Sequence, residues 1–95
     1  MSVIIVGGDR LGSIPEKLRT AGFDEIQRLT GRKRRKAQEF DIPEEMDLVL
    51  VLTDYLSHNL MQTVKKEAKK KNISLVFSRR SWSSIYKKMN RLNIV

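Results

Sequence analysis

The chain has 95 residues, 40% hydrophobic and 32% charged, which fits one globular domain with a modest core and is too apolar for a disordered chain. It contains no cysteine, so a disulfide framework, a thiolate zinc site, an iron–sulfur cluster and a cysteine nucleophile are all excluded. The net charge of +8 and a pI near 10.1 point to polyanions or anionic small ligands, although lysine on helix faces also serves solubility.

Val3 to Val6 is an unbroken β-branched run closed by Gly7-Gly8, the pattern of a strand buried on both faces of a parallel sheet. Ser13-Ile14-Pro15-Glu16 reads as a capping box, so a helix starts at about Ile14; Ile14, Leu18 and Ala21 face the sheet, and Gly22 supplies a left-handed stop. Phe23 to Thr30 alternates apolar with polar residues, as an edge strand with one wetter face does. After Gly31 come five consecutive cations, Arg32, Lys33, Arg34, Arg35 and Lys36, and then a stretch to Glu45 that reads as either a short helix or a crossover loop.

Met46 to Leu52 holds the most hydrophobic run and is expected at the centre of the sheet, with Thr53-Asp54 closing it and capping the next helix. Leu56, Leu60, Met61, Val64 and Ala68 recur at helical spacing up to about Lys71, with Lys65, Lys66, Lys69, Lys70 and Lys71 gathered toward the end where the dipole favours cations. Ile73 to Phe77 is a fourth buried strand. Ser78-Arg79-Arg80-Ser81 turns into a last helix with Trp82, Ile85, Tyr86 and Met89 on one face and Lys87, Lys88 and Arg91 on the other. The predicted fold is α/β: a single three-layer domain spanning residues 1–95, with a four-stranded parallel sheet in the order 2-1-3-4, half of a Rossmann- or flavodoxin-like fold.

Ligands of open parallel sheets bind outside the carboxyl ends of the strands. That rule selects Gly7, Gly8, Asp9 and Arg10 after the first strand, Thr30, Gly31 and Arg32 after the second, Thr53, Asp54 and the segment to His58-Asn59 after the third, and Ser78, Arg79, Arg80, Ser81 and Ser84 after the fourth. Glycine, hydroxyl and arginine groups in that setting suit phosphate or carboxylate oxygens. Each has a plainer alternative. Gly7-Gly8-Asp9-Arg10-Leu11-Gly12 departs from G-x-G-x-x-G and can simply turn the chain, and Arg79 and Arg80 can cap carbonyls or pair with Asp9 and Asp54. Two adjacent arginines at a helix amino terminus are electrostatically awkward, however, which favours a ligand role.

His58 is the sole histidine. Its plain reading is an exposed helix residue; without cysteine it cannot complete a zinc site, but one neutral imidazole suffices as the axial ligand of haem iron. Met61, one turn on, either lines such a pocket or packs in the core. No nucleophile–base pair emerges from local spacing, and Asp9 and Asp54 serve equally as caps or arginine partners, so a binding module rather than an enzyme is expected.

Ile4 to Gly12 (IIVGGDRLG), Leu50 to Asp54 with His58-Asn59, and Phe77 to Ile85 (FSRRSWSSI) together resemble a small bacterial family catalogued as domain of unknown function 2325, along nearly the whole chain. The resemblance implies haem binding, with His58 axial and Arg79-Arg80 on the propionates; spacing and composition only permit it. The basic run Arg32 to Lys36 is not assigned to the family pattern. With Lys65 to Lys71 and the aromatic rings of Trp82 and Tyr86, it supports the alternative of nucleic-acid binding, though both rings lie on the apolar helix face. No apolar run approaches the roughly 18 residues of a bilayer span, and Met1 to Gly8 lacks the features of a signal peptide, so the expected location is cytoplasmic. Exposed sheet edges and a small core make a homodimer the expected quaternary state.

Overall fold

A computed structural model of the chain describes residues 1–8, 10–29, 42–43, 45–54 and 57–94. Its elements run β1 (Ser2–Val6), α1 (Ile14–Thr20), β2 (Glu25–Leu29), β3 (Leu48–Leu52), α2 (His58–Lys70), β4 (Ser74–Ser78) and α3 (Trp82–Arg91). The four strands form one all-parallel sheet in the order β2-β1-β3-β4, as the sequence predicts. Asp9, Thr30, Gly31, the basic run Arg32 to Lys36 and Leu56 lie outside the described residues.

β1 and β3 are buried along their whole length and pair with each other, Ile4 opposite Val49 and Ile5 opposite Leu50. Their side chains alternate between two cores. Val3, Ile5, Leu48, Leu50 and Leu52 join Leu11, Ile14 and Leu18 of the α1 side and Ile85 and Met89 of α3. Ile4, Val6, Val49 and Val51 meet Val64 and Ala68 of α2 together with Ile42 and Met46. Continuous apolar strands therefore follow from helices on both faces. β2 shows the mixed exposure of an edge strand. β4, read as fully buried, is an edge strand too: Ser74 is exposed, Leu75 and Phe77 are half-buried, and only Val76 and Ser78 are buried. Its apolar run is continuous, but nothing among the described residues pairs with its outer side.

Helix ends differ from expectation at the amino side and follow one device at the carboxyl side. Ser13 precedes α1 at φ −87°, ψ 3° and makes no side-chain cap bond; a capping oxygen needs the extended backbone that this turn does not adopt. Ser57, in extended conformation, caps α2 by accepting the Leu60 N–H at 3.2 Å, the role expected of Thr53-Asp54. All three helices end in a Schellman motif, centred on Gly22 (φ 116°), Asn72 (φ 59°) and Asn93 (φ 57°). In each, the following residue donates back to the last turn: Phe23 to Leu18, Ile73 to Ala68 and Ile94 to Met89. The two residues of each pair belong to the same apolar core, as the motif favours.

The described residues that lead into β3 are held at two points. The Ser2 N–H donates to Asp47 Oδ2 at 2.7 Å, the Ser2 hydroxyl reaches Glu45 O and Asp47 Oδ2, and Lys71 Nζ donates to Ile42 O. No helix among the described residues is long and apolar enough to cross a membrane.

Candidate functional site

The chain leaves β1 through Gly7 and Gly8, both at positive φ. The Gly7 N–H still donates to Leu29 O at 2.9 Å, so the ladder runs one residue past the strand. A Cβ on Gly8 would stand 2.8 Å from Leu52 Cδ1 and 3.1 Å from Leu11 Cδ2. Close packing of the loop onto core leucines, together with its positive φ, thus requires glycine at this position. The Gly8 carbonyl accepts from the Arg28 guanidinium of β2.

β3 and β4 end side by side. The Thr53 N–H donates to Ser78 O at 2.9 Å, and its hydroxyl lies 3.4 Å from the same oxygen. Buried Ser78 bonds through its hydroxyl to Arg79 O and lies 3.1 Å from Ser84 Oγ. Asp54, rather than capping a helix, accepts the Arg80 N–H at 2.8 Å. Arg80 Nη1 in turn donates to Arg10 O. One residue therefore ties the loops after β1, β3 and β4 together across the point where the strand order reverses. The two adjacent arginines, equivalent in the sequence, are not so in the fold. Arg80 is anchored, whereas the exposed Arg79 side chain has no ion pair among the described residues. Ser81 precedes α3 without a side-chain cap bond, its hydroxyl 3.2 Å from that of Ser83.

On the α1–α3 side of this network lies a hollow of about 350 Å³. Leu11, Gly12, Ser13 and Ile14 line it, with Arg10, Lys17, Arg80 and Trp82. Leu11 and Ile14 are nearly buried and form an apolar floor, while Trp82 is half-buried against the same core. Among the described residues the lining includes three cations and no carboxylate. Of the residues selected from sequence, Arg10 and Arg80 line the hollow; Gly7, Gly8, Thr53, Asp54, His58, Ser78, Arg79 and Ser81 do not. Asp54 contributes indirectly, by holding Arg80. Lys17 is not among the residues selected from sequence, and it carries no local signal beyond its place one turn after Ile14; Trp82 enters there only as a stacking ring of the nucleic-acid alternative, its helical spacing marking it as core.

His58 is the first residue of α2 and is exposed. Its helix packs on the opposite face of the sheet from α1 and α3, so the imidazole shares the carboxyl rim with the hollow but not its lining. Met61 is half-buried against the α2-side core, the packing role of its two readings. Tyr86, read as core, is 43% exposed; its ring lies 5.9 Å from that of Trp82, tilted 45°. Ile85 and Met89 take the buried positions of α3, leaving Tyr86 at the margin of the stripe. No group of three or more histidine, aspartate or glutamate side chains able to hold a metal ion occurs among the described residues.

A model of one protein family matches residues 2–92, spanning every loop of this rim. The chain belongs to the DUF2325 family. That family, domain of unknown function 2325, is described as an uncharacterized protein conserved in bacteria, and it is the one that the segments Ile4 to Gly12, Leu50 to Asp54 and Phe77 to Ile85 resemble. No curated protein and no solved structure matches the chain significantly.

Proposed function

We propose that this DUF2325 domain is a non-enzymatic module that binds an anionic ligand at the carboxyl rim of its sheet. The observation that carries it is the convergence of Arg10, Lys17 and Arg80 on one hollow whose lining, among the described residues, holds no carboxylate. Cations gathered in this way repel one another unless an anion joins them, and guanidinium forks suit carboxylate or phosphate oxygens. Arg80 is also held in place by Arg10 O, which lowers the ordering cost of binding.

Haem is the specific ligand proposed here, as its propionates suit arginine and its iron needs one imidazole from the protein. The residues fit in part. His58 and Arg79 are exposed on the rim, yet a hollow of about 350 Å³ is too small to enclose a porphyrin. Haem bound through His58 therefore engages the rim's surface and not the hollow. Haemin titration followed at the Soret band tests this. The parent should develop the band, and His58→Ala should lose or shift it; an unchanged titration of that variant would refute the axial role.

A second reading, nucleic-acid binding, is favoured by α2. Lys65 with Lys69 and Lys66 with Lys70 are like-charged neighbours four residues apart, all exposed, an arrangement that disfavours the isolated helix. The nearby acid, Glu67, lies 3.9 Å from Lys71. Binding of this kind weakens steeply with salt, by roughly one counterion released per phosphate contacted. A flat salt response of RNA or DNA binding would rule it out.

A further inference from the structure

We infer that the hollow between α1 and α3 takes a ligand that joins a phosphate to an aromatic base, with the chemistry of a nucleoside 5′-phosphate, its phosphate on Arg10, Lys17 and Arg80 and its base against Trp82. This rests on the reading of the rim as an anion site and narrows its ligand.

Size comes first. About 350 Å³ sits at the small end of the roughly 300–1,000 Å³ typical of ligand sites, enough for one nucleotide-sized molecule and too little for a macrocycle. The lining combines charge with an aromatic surface. A bare inorganic anion would satisfy the three cations and leave the partly exposed indole of Trp82 facing water. An uncharged ring would cover the apolar floor and leave the cations unneutralised. A ligand that joins a base to a phosphate satisfies both.

Positioning favours the same ligand. The guanidinium of Arg80 is fixed by Arg10 O, and its backbone by Asp54, so the phosphate end is preorganised. Arg10 and Lys17 have no ion pair among the described residues, and the Ser13 hydroxyl makes no helix-cap bond, which leaves donors for further phosphate oxygens. Trp82, two residues beyond Arg80, lines the same hollow with its ring next to that of Tyr86, and a flat indole stacks on any planar base.

Trp82 is the only tryptophan in the chain, so its fluorescence, excited at the red edge of indole absorption, reports on this hollow alone. The parent protein is titrated with AMP, with adenosine and with inorganic phosphate, and calorimetry follows AMP binding to Lys17→Ala, Arg80→Ala and, as a control on the exposed face of α2, Gln62→Ala. The expected result is saturable quenching by AMP at least tenfold tighter than either fragment, about tenfold weaker AMP binding in the Lys17 and Arg80 variants, and no change in the Gln62 variant. A 5′-phosphorylated oligonucleotide identifies the source: tighter binding than AMP assigns the end of a nucleic-acid strand, equal or weaker binding a free nucleotide. If phosphate binds as tightly as AMP, the ring assignment fails while the anion site stands. If none of the three binds, both fail. AMP binding that ignores Lys17→Ala and Arg80→Ala places its site elsewhere and overturns the inference.

Discussion

Replacing Gly8 with alanine separates two costs that the fold imposes on the loop after β1. Gly8 sits at φ 76°, where an alanine loses roughly 1 kcal/mol to its own backbone. Its new methyl group would also lie 2.8 Å from Leu52 Cδ1 and 3.1 Å from Leu11 Cδ2. Leu52 is fully buried and Leu11 nearly so, so neither can swing into solvent, and overpacking of this kind adds about 1–2 kcal/mol. The sum, about 2–3 kcal/mol, is a large part of the 5–15 kcal/mol by which domains are stable. Gly12 is the internal control: its φ is 57°, but a Cβ there meets nothing within 4 Å. Gly12→Ala should therefore cost about 1 kcal/mol or less. In urea, with a slope of about 1 kcal/mol per molar for so small a chain, the midpoint should fall by about 2–3 M for Gly8→Ala and by about 1 M or less for Gly12→Ala. Far-UV circular dichroism reads both. Equal falls would show that the contact with Leu52 contributes nothing and would refute the packing account of Gly8.

Three further perturbations test the supports of the site. Ser57→Ala removes the oxygen that accepts the Leu60 N–H and should lower stability by about 1 kcal/mol, largely restored by Ser57→Asp, as measured by urea unfolding. Asp47→Ala leaves the Ser2 N–H without its 2.7 Å partner in a part-buried position; a loss of about 1–2 kcal/mol is expected, with faster hydrogen exchange at the Ser2 amide. Asp54→Ala releases the exposed Arg80 N–H. Global stability should move by no more than about 0.5 kcal/mol, while exchange of the Arg80 amide accelerates about fivefold to tenfold if roughly 1 kcal/mol of local bonding is lost; an unchanged amide would remove Asp54 from the rim network.

Strands and helices were legible because their signals are local and physical. An unbroken run such as Val3 to Val6 or Leu48 to Leu52 has no polar face to offer water and so belongs where both faces are covered, and α2 announces itself through Leu60, Val64 and Ala68. Gly22 marks a helix end because its backbone reaches positive φ without strain. The strand order followed from alternating elements and the right-handed crossover. Cap identity was less legible: Ser13, Thr53, Asp54 and Ser57 are all competent residues, and which of them caps depends on the path of the chain into the helix.

By itself, then, the sequence determined the class of fold and the sheet order, because hydrophobic period and crossover handedness act over a few residues at a time. Only the tertiary structure decided that Arg80 and not Arg79 binds the loops together, that Lys17 and Trp82 belong to the hollow, and that His58 stands on the other face of the sheet. Residues 10, 17, 54 and 80 meet through the packing of α1 and α3 on one face. No local pattern encodes contacts between residues up to 70 positions apart.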